Sequence, residues 1–197
     1  MKKTISFVRT FIPADLFKKE YAFGGLTIYH LNEQMNAEMN AYECWECSVR
    51  SSEHTQDDVM AAFAEFKAKL AASELATAKA QKLAEIDAYD TSSAVNVFSL
   101  NGATVWLDKA TRVGLMNSTS ITKAMGQPTT TLWLGESKME VPCDTAIQLL
   151  SALEMYALEC FNVTAAHKKA VNELNSIEEV EKYDITVGYP AQLKMEV

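Results

Sequence analysis

Val95-Asn96-Val97-Phe98-Ser99-Leu100-Asn101-Gly102-Ala103-Thr104-Val105-Trp106-Leu107-Asp108 is the stretch on which the fold turns. Two runs rich in Val, Phe, Thr and Leu, 95–100 and 103–107, flank an Asn-Gly pair. Asn and Gly tolerate the positive φ angles of a type I′ turn, so the pattern predicts a tight β-hairpin. Asp108 follows at once and has the chemistry of a helix N-cap. A hairpin running directly into a capped helix mixes strand and helix locally and points to an α+β protein.

Reading towards the C-terminus, the helix opened by Asp108 runs to about Ala124, and Gly126 and Pro128 supply stop signals. Thr129–Leu134 and Lys138–Val141 form a second hairpin candidate around Gly135, ended by Pro142. Asp144 is placed to cap a long helix. Ile147, Leu150, Leu153, Ala157 and Phe161 line one side of it, and Leu149, Tyr156 and Cys160 widen that face. Asn162-Val163-Thr164 is expected to kink or re-cap this helix before Ala165–Leu174. Ser176 and Glu179 make a capping box for a short last helix.

Reading towards the N-terminus, Thr55 and Asp58 have the spacing of a helix start, and Val59, Phe63, Phe66 and Leu70 follow as a buried stripe. Residues 71–82 are Ala, Lys, Glu and Gln with little apolar face, which predicts an exposed connecting helix. The apolar face returns at Leu83 and Ile86. Before residue 55 the pattern is strand-like. Thr4–Phe11 is one candidate, stopped by Pro13. Leu26–Leu31 is a second, after a Gly24-Gly25 turn, and Tyr42–Val49 a third. Asn32–Asn40 reads as a loop or short helix. Alternation in the third strand puts Trp45, Cys47 and Val49 on one face and Tyr42, Cys44 and Glu46 on the other.

The expected architecture is therefore α+β: a small N-terminal β-rich part (1–70), a helical connector (71–82), and a C-terminal helical domain with two β-hairpins (83–197). With 48% hydrophobic residues in 197, the chain can bury such cores. The formal net charge of −8 opposes nucleic-acid binding, and the basic pairs Lys2-Lys3, Lys18-Lys19 and Lys168-Lys169 form no patch. The apolar run after Lys3 ends at Arg9, too short for a signal peptide, and nothing approaches the about 20 apolar residues a membrane span needs. A cytoplasmic, membrane-free protein is expected.

Chemistry-bearing motifs are scarce. Cys44-Trp45-Glu46-Cys47 has Cys-x-x-Cys spacing but lies in a strand pattern, where odd spacing separates the thiols. His30, Cys44, Cys47 and His54 number four candidate zinc donors, yet their flanking spacings fit no standard finger. The four cysteines (with Cys143 and Cys160) are expected to be reduced and metal-free. Only three histidines are present, His167 sits beside two lysines as a surface residue would, and Gly-x-Ser-x-Gly, Walker, Gly-x-Gly-x-x-Gly and His-Glu-x-x-His patterns are lacking. Paired acids such as Asp57-Asp58 and Glu178-Glu179 sit at helix starts, where they complement the dipole. These readings predict a non-enzyme without cofactor. Trp106, Trp133 and Tyr156 could line a recognition groove, although aromatics at such positions are more often core.

One resemblance adds to this. Ile86-Asp87-Ala88-Tyr89-Asp90, Trp106-Leu107-Asp108-Lys109-Ala110-Thr111-Arg112, Thr130-Thr131-Leu132-Trp133, Ser151-Ala152-Leu153-Glu154-Met155-Tyr156-Ala157, Tyr183-Asp184 and Gly188-Tyr189-Pro190 occur in this order. Together, over about 82–193, they resemble a domain of unknown function found in bacteriophages and bacterial prophages near tail and tail-fibre genes. The resemblance implies a structural tail protein, associated with fibre or baseplate, that acts through protein–protein contacts. The alternative it leaves is a tail-fibre assembly chaperone not retained in the virion. It implies tail or fibre proteins as partners, self-association, and residence in the host cytoplasm during assembly and then in the virion tail. No catalytic residues come with it. The contact candidates are Trp106, Arg112, Trp133 and Tyr156.

Overall fold

In a computed structural model that describes residues 4–134 and 137–196, four strands open the chain. They are β1 (Val8–Pro13), β2 (Glu20–Phe23), β3 (Leu26–Asn36) and β4 (Ala41–Val49). They pair antiparallel in the order β1-β4-β3-β2. The β-branched and aromatic content of β3 and β4 suits these inner positions, and Pro13, which cannot donate to a ladder, ends an edge strand. Gly24 and Gly25 turn β2 into β3 at φ 60° and 77°.

The two faces of this sheet are covered differently. Tyr29, Cys47 and Val49 form a cluster with Val59 at the start of the long helix α1 (Gln56–Asp90). Phe7 meets Phe63 and Phe66 at 5.2 and 5.1 Å, and Trp45 meets Phe66 edge-on at 4.8 Å. The predicted stripe on α1 is thus the cover of this face. On the other face Phe17 lies against Tyr42 at 4.3 Å and against His30 at 5.6 Å. The Thr55 and Asp58 cap is reciprocal: Thr55 N–H donates to Asp58 Oδ2 at 2.9 Å and Asp58 N–H donates to Thr55 Oγ1 at 3.2 Å.

Three N-terminal expectations are corrected. The region 32–40 is not a loop or helix throughout, because β3 continues to Asn36. A register shift between Leu31 and Gln34, with Asn32 at φ 55°, breaks the alternation that would have revealed the strand. β2 was not anticipated, being four residues long and largely exposed. β1 starts at Val8 rather than Thr4.

The chain divides into two compact units, Met1–Glu74 and Leu75–Val197. Residues 71–82 are the middle of α1 and are largely exposed. In the second unit β5 (Phe98–Leu100) and β6 (Ala103–Val105) form the expected hairpin, with Asn101 at φ 48° and Gly102 at φ 81°. α2 (Lys109–Ala124) follows, capped by Asp108 through Thr111 N–H at 2.9 Å. β7 (Thr129–Leu134) pairs with β8 (Ser137–Pro142), and α3 (Cys143–Glu173) and α4 (Ile177–Lys182) follow. The turn residue Gly135 lies outside the described residues. α4 carries the predicted Ser176–Glu179 capping box. A last strand, β9 (Leu193–Met195), pairs parallel with β5 and was not foreseen from three residues. The core gathers Phe98, Leu132, Leu150, Leu153 and Cys160.

α3 differs from expectation in phase and continuity. Its buried line is Ala146, Leu150, Leu153, Ala157, Cys160, Thr164, His167 and Val171, so Phe161 is 61% exposed instead of buried. The helix passes unbroken through Asn162-Val163-Thr164 because the buried Thr164 hydroxyl donates to Asp90 of α1 and leaves the backbone ladder intact. Pro142 takes the N-cap position that Asp144 was expected to fill; Asp144 lies in the first turn and pairs with Lys123. No helix among the described residues is long and apolar enough to cross a membrane.

Candidate contact cleft

The Asp108 cap fixes the first turn of α2 and thereby Arg112, whose backbone N–H donates to the Asp108 carbonyl at 3.0 Å. The Arg112 side chain is only 7% exposed. Its Nε donates to Glu154 Oε1 of α3 at 2.9 Å and its Nη1 to the Leu107 carbonyl at 2.8 Å. A buried guanidinium is tolerable when a carboxylate and a carbonyl accept its protons. One residue before Leu107, Trp106 donates its indole N–H to the Val95 carbonyl at 3.1 Å and keeps 38% of its surface exposed.

Beside these groups lies a cleft of about 400 Å³. The last residue of α1, Asp90, lines it, and the chain that follows contributes Thr91, Asn96 and Trp106. The start of α2 supplies Asp108, Lys109 and Arg112, and α3 supplies Glu154, Ala157, Leu158 and Phe161. Leu158 and Phe161 are 48% and 61% exposed. The Asp108 carboxylate is held below its ordinary range by the Thr111 hydroxyl and backbone N–H that donate to it.

Behind Asp90 a buried polar network holds the segment after α4. Thr164 donates to Asp90 Oδ1 at 2.7 Å and lies 2.9 Å from the Tyr189 hydroxyl. Burial pushes the Tyr189 phenol up. His167 is buried, contrary to the surface position expected from its lysine neighbours. Its Nε2 lies 2.9 Å from the Val187 carbonyl, which can only accept, so Nε2 carries a proton. Its Nδ1 lies 2.8 Å from the Tyr183 hydroxyl. Sequence reading failed here because Lys168 pairs with Asp87 and Lys169 with Glu173 on the exposed side of α3, while His167 faces inward.

Of the four contact candidates, Trp106 and Arg112 meet in the cleft. Tyr156 is a core residue whose phenol burial pushes up to about 12. Trp133 is 57% exposed on β7 opposite Lys138 and does not line the cleft. Asp90, Asn96, Glu154 and Phe161 were not singled out as contacts. The one available signal was Arg112 itself, since an arginine one turn inside a helix beside apolar neighbours needs an acidic partner.

In the first unit, Cys44 and Cys47 are both buried, on opposite faces of β4 as the alternation required. Burial raises both thiols, Cys47 to about 11. His30 has Nδ1 on the Lys18 carbonyl and Nε2 at 3.1 Å from Glu46 Oε2, so both ring nitrogens are engaged. Among the described residues no group of three or more His, Cys, Asp or Glu side chains is placed to hold a metal ion.

Residues 77–187, more than half of the chain, match the family model of a domain of unknown function, DUF4376. The chain belongs to the DUF4376 family. The matched span contains every residue that lines the cleft; the segment Trp106–Arg112 supplies Trp106, Asp108, Lys109 and Arg112, and Ser151–Ala157 supplies Glu154 and Ala157. The network of Asp90, Thr164, His167 and Tyr183 lies inside the DUF4376 span, whereas Tyr189 lies just beyond it. No curated protein and no solved structure matches the chain significantly.

Proposed function

We propose that this DUF4376 protein is a structural component of a bacteriophage or prophage tail, associated with fibre or baseplate, and that it works through contacts with other protein chains rather than by catalysis. The observation that supports a contact role is the cleft, where Trp106, just after the β5–β6 hairpin, and Leu158 and Phe161 on α3 stand exposed beside the paired Arg112 and Glu154. Exposed aromatic and aliphatic side chains on rigid elements mark recognition surfaces. The tail assignment rests on the ordered motifs from Ile86 to Pro190. Tails are symmetric, so repeated contacts and self-association go with this reading. The acidic net charge of −8 goes with protein partners in preference to nucleic acid.

The test is the protein composition of purified particles from a phage carrying this gene. A stoichiometric band in mature particles is the expected result. Absence from particles, together with fibres that fail to assemble when the gene is deleted, replaces the structural role by the chaperone. A free monomer that enters no particle and binds no tail protein overturns both.

A further inference from the structure

We propose that the cleft of the DUF4376 domain receives a cationic side chain, Lys or Arg, presented by a partner protein; this deepens the contact reading above and rests on it. Three carboxylates line the cleft, Asp90, Asp108 and Glu154, against two cations, Lys109 and Arg112. Glu154 and Arg112 are already bound to each other. Asp108 is occupied by the α2 cap, where it takes both the Thr111 N–H and the Thr111 hydroxyl. Asp90 has no ion-pair partner among the described residues. It also ends α1, where the helix dipole is negative and the last turn contains no basic residue. The cleft therefore attracts positive charge.

An anion is disfavoured on the same grounds. The α2 N-terminus is closed by Asp108, and the guanidinium has its carboxylate already. Lys109 is exposed on a long stem next to Asp108 and leaves the balance at one net negative charge. The Trp106 and Phe161 side chains line the same cleft and supply apolar, aromatic surface for an alkyl stem and its charged head. Asp90 Oδ1 takes the Thr164 hydroxyl, and its Oδ2 has no hydrogen-bond partner among the described residues, an acceptor left for a donor. An ammonium or guanidinium supplies donors only.

The test uses the full chain labelled with ¹⁵N at its three tryptophan indoles, Trp45, Trp106 and Trp133. The probes are blocked lysine and blocked arginine (N-acetyl, methylamide), with blocked glutamate and blocked leucine as comparisons. Saturable movement of the Trp106 indole resonance with the two basic probes, and not with glutamate, is expected. Asp90→Asn keeps an acceptor for Thr164 and should weaken the basic probes by about two- to fivefold, as loss of a partly exposed charge pair does. Phe161→Ala, at an exposed position, should weaken them without altering the far-UV spectrum. Leucine or glutamate moving Trp106 as strongly as lysine, unchanged affinity in Asp90→Asn, or no response to any probe each overturns the inference. Particle incorporation is scored separately: its failure with lysine binding intact refutes the tail role alone, and the converse refutes the cationic ligand alone.

Discussion

Replacing Arg112 by Met keeps a stem of similar length and removes the guanidinium. The Leu107 carbonyl, on a residue only 6% exposed, then loses its donor. An unsatisfied buried acceptor costs about 1–3 kcal/mol. Glu154 loses its partner too, but its side chain is 36% exposed and water can replace the bond, so that loss adds about 0–1 kcal/mol. The sum for Arg112→Met is about 1–4 kcal/mol. Glu154→Leu is worse, because it leaves a guanidinium that is 7% exposed without the carboxylate bonded to it. Breaking a buried pair from that side costs about 3–5 kcal/mol. The double variant Arg112→Met/Glu154→Leu restores an apolar pair and should be more stable than Glu154→Leu alone. Urea unfolding followed by tryptophan emission and far-UV circular dichroism measures all three, since Trp106 and Trp133 lie in the second unit. Additive behaviour in this cycle, or an Arg112→Met midpoint equal to the parent's, would refute the account of Arg112 as the buried tie between α2 and α3.

Phe63 is 4% exposed, so Phe63→Ala should cost about 3–5 kcal/mol in the same urea assay, and Phe66→Ala less because Phe66 is half-buried; unchanged midpoints in both refute the α1 stripe. Cys44, Cys47 and Cys160 have thiols raised by burial and should react with iodoacetamide at pH 8 only on unfolding, with native mass spectrometry giving the reduced, metal-free mass; one zinc per chain lost with the fold on chelation contradicts this. Asp108, Glu179 and Asp184 all have carboxyls held below their ordinary range by hydrogen bonds, Glu179 first by Asn175 N–H and Asp184 first by Thr186 N–H. A depressed folded-state value means the contribution is complete above the unfolded value and is lost as pH falls through the folded one, so stability should decline below about pH 5. Glu179→Gln combined with Asp184→Asn should flatten that decline; an unaltered slope would count against the caps as its source.

Local signals explain which parts of the fold were legible. Asn101-Gly102, the Asp108 cap, the Thr55–Asp58 pair and the Ser176–Glu179 box each act within four residues, and each appears where its chemistry required. What failed were features that depend on distant partners. β3 continues past Leu31 because β4 supplies Ala41, Tyr42 and Glu43 to pair with Asn36, Met35 and Gln34, beyond a bulge that hides the alternation. β9 exists because β5 lies parallel beside it, a pairing no window of three residues reveals. The phase of α3 was misjudged at Phe161 because a large apolar residue was assigned inward while Thr164 and His167 were overlooked as buried polar positions. The cleft was illegible for the same reason. Its carboxylates Asp90 and Glu154 are 64 residues apart in sequence and come together only when the end of α1 and the middle of α3 meet within the second unit.

The pairing of polar groups around the cleft also bounds how strongly it can bind. With Arg112, Glu154 and Asp108 already engaged, a visiting cation gains Asp90 and the aromatic side chains Trp106 and Phe161. An exposed charge pair contributes about 0.2–1 kcal/mol and an exposed cation–π contact about 0.5–1 kcal/mol. After the entropy of fixing one long side chain, a single cleft holds its ligand weakly. Weak contacts suffice when copies are arrayed, because linking sites raises overall binding by about 10²–10⁴ without any new contact. On the proposed tail reading that array comes from the symmetry of the particle. The isolated chain should then bind a basic segment only at high concentration, while an assembled ring or fibre holds the same segment firmly, and salt should loosen both because the attraction is carried by exposed charge.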